Sequence, residues 1–137
     1  MAGRRKLEFK HHHGGISVPD LEASIRWYAD VLGFEVETRI YIEAVPAKVA
    51  MLRHGELRLE LFEVEGAAPL PPDRREPNKD LRTHGNKHIA FAVKDVDSFA
   101  EQLRKRGADI VFVGHFEFGS NIFIRDNAGN LIEFVQA

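Results

Sequence analysis

Four residues of this 137-residue chain have the types and spacing to hold a divalent cation: His13, Glu60, His88 and Glu133. His13 and Glu60 are 47 positions apart, and His88 and Glu133 are 45 apart. Each lies in or beside a short apolar run, where an unpaired carboxylate is costly to bury unless a cation or strong donors meet it. Two imidazoles and two carboxylates suit a borderline or hard divalent ion, and the carboxylates balance its charge. Manganese, cobalt, nickel, zinc, magnesium and iron all fit that description. The chain has no cysteine, so thiolate sites, disulfides and cysteine nucleophiles are excluded together.

Strand side chains alternate between faces, which decides which neighbours these four residues share. In the first run Ile16 and Val18 point one way and His13, Gly15 and Ser17 the other. In the later run Ile89, Phe91 and Val93 take the helix side, leaving His88, Ala90 and Ala92 opposite. Leu57, Leu59 and Leu61 are likewise expected to pack toward a helix, with Arg58, Glu60 and Phe62 on the far face. Both histidines thus share a face with small residues, which leaves open volume. One metal held by His13, Glu60, His88 and Glu133, with two octahedral positions free for substrate oxygens, is the expected centre.

The elements that must position these residues occur twice. Asp20 can cap a helix carrying Leu21, Ile25, Tyr28, Val31 and Leu32 at helical spacing, and Gly33 can end it. Lys94–Asp97 leads into a second helix carrying Phe99, Ala100 and Leu103, stopped by Gly107. Three alternating stretches follow each helix, at 34–43, 48–53 and 57–64, then at 109–114, 120–125 and 130–136. The expected fold is α+β, two tandem βαβββ modules (8–65 and 86–137). Residues 66–85 hold four of the six prolines and read as a linker lying partly across the surface.

Composition agrees with one compact domain: 44% of residues are hydrophobic and 29% charged. A formal charge of −2 argues against a nucleic-acid partner. No apolar run is long enough for a membrane helix, and MAGRRKLEFKHHH lacks a signal core, so a cytoplasmic protein acting on a small molecule is expected.

His13-Gly-Gly-Ile-Ser-Val-Pro-Asp20, Trp27-Tyr28, Leu32-Gly-Phe34, Leu59-Glu-Leu-Phe62, His88-Ile-Ala-Phe-Ala-Val93 and Asp126-Asn-Ala-Gly-Asn-Leu-Ile-Glu133 together resemble the vicinal oxygen chelate superfamily. That group includes glyoxalase I, methylmalonyl-CoA epimerase, extradiol dioxygenases and the fosfomycin- and bleomycin-resistance proteins. The resemblance implies paired βαβββ modules forming a cupped mixed sheet around one divalent metal site, with His13, Glu60, His88 and Glu133 as ligands, and a homodimer. Glu60 speaks against the dioxygenases and fosfomycin transferases, which take no acidic ligand from the first half. The full ligand set resembles lyases and epimerases, so the implied activity is a metal-dependent isomerase or epimerase working through an enediolate or enolate. An acyl-CoA or a keto-polyol such as a cyclitol would be the substrate. A glyoxalase-type lyase and a drug-sequestering protein without catalysis are the alternatives.

Proton abstraction next to a carbonyl needs a base. Alternation in 35–43 separates Val36, Thr38, Ile40 and Ile42 from Arg39, Tyr41 and Glu43. Glu43 is the candidate base, at the position where the chain resembles methylmalonyl-CoA epimerases, and Arg39 and Tyr41 are candidates for orienting substrate. Glu60 or Glu133 could instead leave the metal and take the proton, as the resemblance to glyoxalase I implies. His11, His54, His84 and His115 are expected at the surface, His115 in a short insertion. Arg75–Lys79 and Arg82 could bring charge to a pocket entrance. Asp126–Asn130 reads as a hairpin turn, too short for a calcium loop.

Overall fold

The computed structural model describes residues 3–137. Asp20 opens the first helix by accepting the Ala23 N–H at 3.0 Å, and Gly33 closes it at φ 80°, a conformation that strains any residue with a Cβ. The first module runs β1 (Gly14–Ser17), α1 (Leu21–Leu32), β2 (Glu35–Ile42), β3 (Ala47–His54) and β4 (Leu57–Val64). Asp95 caps the second long helix in the same way, accepting from the Ser98 N–H. Its module runs β5 (Ile89–Val93), α3 (Val96–Lys105), β6 (Asp109–Phe116), β7 (Gly119–Arg125) and β8 (Leu131–Gln136), with the short helix α2 (Pro77–Asp80) between the modules.

Each module is a four-stranded mixed sheet, ordered β1-β4-β3-β2 and β5-β8-β7-β6. The first strand of each lies parallel to the last, and the other pairs are antiparallel. The registers repeat, with Gly15 opposite Glu60 in one sheet and Ala90 opposite Glu133 in the other. A register shift between Val36 and Thr38 recurs between Ile110 and Phe112. This is the two-module α+β fold expected from the repeat.

The helix-bearing faces of both sheets turn toward each other and share one core. Leu59, Leu61, Val96, Leu103, Ile122 and Ile132 are buried in it. Phe34 meets Phe91 across the module boundary, with ring centroids 6.3 Å apart, and a side chain at Gly14 would begin 3.1 Å from Ile89 Cδ1. Tyr28 Oη donates to Asp126 Oδ2 at 2.8 Å. Arg106 of the second module donates to the Val31 carbonyl of the first. Leu57, expected on the packed side, is 41% exposed because it stands at the turn end of the β3–β4 hairpin.

The segment joining the modules is ordered. Pro72–Arg75 forms a 3-10 turn and α2 follows it. Asp80 is buried and paired with Arg74 and Lys87. Arg125 of β7 donates to the Arg75 carbonyl and pairs with Glu76. The Arg75 side chain lies against Gly129 in the β7–β8 turn. That turn is organised by Asp126, which accepts from the Ala128 and Asn130 N–H groups. Among the described residues, no helix is long and apolar enough to cross a membrane.

Candidate metal centre

The residue before β1 and the residue before β5 carry the two imidazoles, and the adjacent β4 and β8 carry the two carboxylates. Parallel pairing sets Gly15 beside Glu60 and Ala90 beside Glu133, so each histidine lies two residues upstream of its carboxylate's partner and on the same face. His13 Nε2 is 3.3 Å from Glu60 Oε1, and His88 Nε2 is 3.1 Å from Glu133 Oε1. The carboxylates are mostly covered, at 23% and 17% side-chain exposure. Among the described residues neither has a Lys or Arg partner within ion-pair distance. Each pair therefore has the donor chemistry of half a metal site, and the residues fit such an ion.

The two pairs do not meet within one chain. Among the described residues no group of three or more His, Asp or Glu side chains is close enough to hold a metal. The helix-bearing faces of both sheets are spent on the shared core, which leaves His13–Glu60 and His88–Glu133 on the outward faces of separate sheets. An apolar pocket of about 280 Å³, lined by Phe34, Phe91, Phe99 and Leu103 among others, lies on the helix side, away from both pairs.

The register shift in β2 moves three other candidates. Val36 stands opposite the buried Leu52, while Thr38 stands opposite Met51, the next position along β3 and on the other face. From there Thr38, Ile40 and Ile42 share the Glu60 face. Arg39 and Tyr41 come to the helix side, against the expectation from simple alternation. There Arg39 donates to Glu22 of α1 at 2.8 Å, a bond that holds the Glu22 carboxyl below its usual range. Tyr41 stands opposite Lys48, which pairs with Glu63 of β4, the carboxylate that accepts the Leu21 N–H at the start of α1. Glu43 is exposed in the β2–β3 turn, and at ~3.3 Å per residue it lies about 16 Å along the strand from the level of Glu60. The structure thus brings none of Arg39, Tyr41 and Glu43 to either imidazole–carboxylate pair.

The extra residue of that bulge, Glu37, accepts from Arg58 at 2.9 and 3.1 Å. Those bonds lower the Glu37 carboxyl from its ordinary range. One other expectation changes in detail: His115 lies in β6, not in an insertion, and is bonded to Ser120 and Asp97. His54 ends β3 beside the turn, exposed as expected, against Phe34.

Asn121 was not legible as a site residue. Its Nδ2 donates to Glu133 Oε2 at 2.9 Å, so both oxygens of that carboxylate are engaged. The available signal was a lone amide two residues before Phe123, next to the apolar run Ile122–Ile124. Phe123 packs its ring edge-on to His88 at 4.8 Å and fixes that imidazole.

The family model described as "Glyoxalase/Bleomycin resistance protein/Dioxygenase superfamily" matches residues 10–134. A 2-epi-5-epi-valiolone epimerase from an Actinomyces species is 32% identical over 108 residues, which cover 68% of this chain. The matched stretch spans only 56% of that relative's length. A probable lactoylglutathione lyase from Synechocystis is 27% identical over 127 residues, covering 90% of this chain and 92% of its own. The crystal structure of a glyoxalase family protein from Enterococcus faecalis superposes with a TM-score of 0.78 at 22% identity, covering 93% of this chain and 97% of that one.

Proposed function

This chain belongs to the glyoxalase/bleomycin resistance protein/dioxygenase superfamily, and from that premise we propose that it is a divalent-metal-dependent isomerase or epimerase acting on a small carbonyl compound. The observation that carries the reading is the pair of matched half-sites, His13–Glu60 and His88–Glu133, on the outward faces of two sheets with the same register. Two ligands are too few for a tightly held ion, so the proposed site forms in a homodimer. His13 and Glu60 of one protomer would meet His88 and Glu133 of its partner, giving two sites per dimer.

When bound, the ion would polarise the substrate carbonyl and make the neighbouring C–H bond more acidic. The residues then divide the work. Glu133 is the better fixed carboxylate, because Asn121 holds one of its oxygens and His88 the other. Glu60 is paired with His13 alone among the described side chains, and the position matching Asn121 in its own module is Val49, which offers no hydrogen bond. Glu60 is therefore the carboxylate freer to turn toward the substrate carbon, take its proton and return it to the same or a neighbouring carbon. The imidazoles of His13 and His88 hold the site's geometry.

The epimerase name of the Actinomyces relative supports this reading over simple binding. A lyase of the lactoylglutathione type is the second reading, favoured by the Synechocystis relative, which matches nearly the whole chain. A requirement for a thiol adduct separates the two. The test is elemental analysis of purified protein, followed by solvent-deuterium incorporation into hydroxyketones with and without chelation. Metal at about one ion per chain, with exchange lost on chelation and in Glu60→Gln, is the expected result. A protein that takes up no divalent metal overturns the proposal.

A further inference from the structure

We propose, on the basis of the reading above, that Asn121 and the Phe116–Phe118 pair form a subsite beside Glu133 that accepts a hydroxyl group of the substrate, so that the substrate is a polyhydroxylated ketone and not a thioester. The register of the second sheet sets the geometry. Phe123 stands opposite both Phe112 and Glu133, Asn121 opposite Gly114, and Gly119 opposite Phe116, so these residues share the face that carries His88 and Glu133.

The Asn121 amide has one settled orientation. Turning it over would set its carbonyl oxygen against the Glu133 carboxylate in place of the 2.9 Å donation from Nδ2. With Nδ2 so engaged, Oδ1 is buried and has no partner, the one such side-chain atom among the described residues. Leaving an acceptor buried and unpaired forfeits the hydrogen bonds that water would give it. The module's packing does not demand the amide, since the other module carries Val49 at the same register position. An acceptor kept at a cost beside a metal-type carboxylate is an acceptor for a ligand, and the group it takes is a donor such as a hydroxyl.

What covers that oxygen is movable. A side chain at Gly114 would begin 2.3 Å from Phe116 Cε2 and 2.8 Å from Asn121 Oδ1, so the ring and the acceptor share the space above a bare Cα. Phe116 closes a hairpin whose turn residues are Glu117 and Phe118. The two rings are stacked at 4.9 Å and 5°, yet they are 49% and 87% exposed. Few contacts hold them down, so Phe116 can lift from the acceptor. Two exposed aromatic faces also suit the C–H faces of a cyclic polyol better than the charged tail of a coenzyme thioester.

The test compares two probes on the whole protein held in saturating Mn²⁺, by calorimetry. One is 2-hydroxycyclohexanone, which offers adjacent oxygens alone; the other is 2,3-dihydroxycyclohexanone in each stereoisomer, which adds one hydroxyl. The wild-type chain should prefer one dihydroxy isomer by about tenfold or more. Asn121→Val, which copies the first module, should bring that ratio toward one while 2-hydroxycyclohexanone still binds. Asn121→Ala serves the same comparison if valine is not accommodated. Phe116→Ala should weaken both ketones and keep the ratio. A ratio unchanged in the Asn121 variants, or no preference in a wild-type chain that binds Mn²⁺, overturns the subsite and leaves the metal reading standing. A wild-type chain that binds no Mn²⁺ overturns both.

Discussion

Tyr28 of α1 donates its hydroxyl to Asp126 of the β7–β8 turn at 2.8 Å, joining the two modules through a bond buried from solvent. Asp126 also accepts from two backbone N–H groups and from Asn130 Nδ2, so its charge is spread over donors, with no ion-pair partner among the described residues. Removing the phenol while keeping its ring leaves the carboxylate short of one buried donor. Tyr28→Phe should therefore cost about 1–3 kcal/mol, read as a fall in melting temperature of several degrees.

The same pair sets an alkaline limit. Burial, and then the neighbouring Asp126 charge, raise the Tyr28 hydroxyl well above its ordinary value of 10.0. In the unfolded chain this tyrosine loses its proton near that ordinary value, while the folded chain keeps it. The folded state then binds more protons, and stability falls as pH rises. Denaturant midpoints should be flat below about pH 10 and drop above it, and Tyr28→Phe should remove part of that drop. An equal alkaline loss in the variant would assign the effect to other groups.

Two disabled chains should restore each other. If a site takes His13 and Glu60 from one protomer and His88 and Glu133 from its partner, then His13→Ala and His88→Ala homodimers each lack every complete site. Unfolding and refolding them together forms mixed dimers with one intact site. About a quarter of wild-type high-affinity metal sites should return at random pairing. No recovery in a mixture verified to contain mixed dimers would mean that the half-sites do not meet across copies.

Asp80 anchors the connecting segment. Its carboxylate is 2% exposed and lies between Arg74 and Lys87. Replacing it leaves two partly covered cations without their counter-charge. Asp80→Ala should cost about 3 kcal/mol and should make the segment around Pro72–Asp80 the first point of protease cleavage. Metal binding by the folded protein should change little.

Much of this architecture is local and so was legible residue by residue. Asp20 and Asp95 announce their helices, and alternation assigns His13, Glu60, His88 and Glu133 each to the face away from its module's helix, because a strand's faces follow from counting. Arg39 and Tyr41 show where counting stops. The extra residue at Glu37 reverses the faces beyond it, and that bulge exists only in the pairing of β2 with β3. Asn121 was missed for a related reason, since its bond to Glu133 depends on which strands lie side by side. The sequence by itself determined the repeated module and the two histidines and two glutamates at matched positions of it. Only the tertiary structure decided that the pairs face apart within one chain, because burying both helices in a single core is a long-range choice that no local spacing encodes.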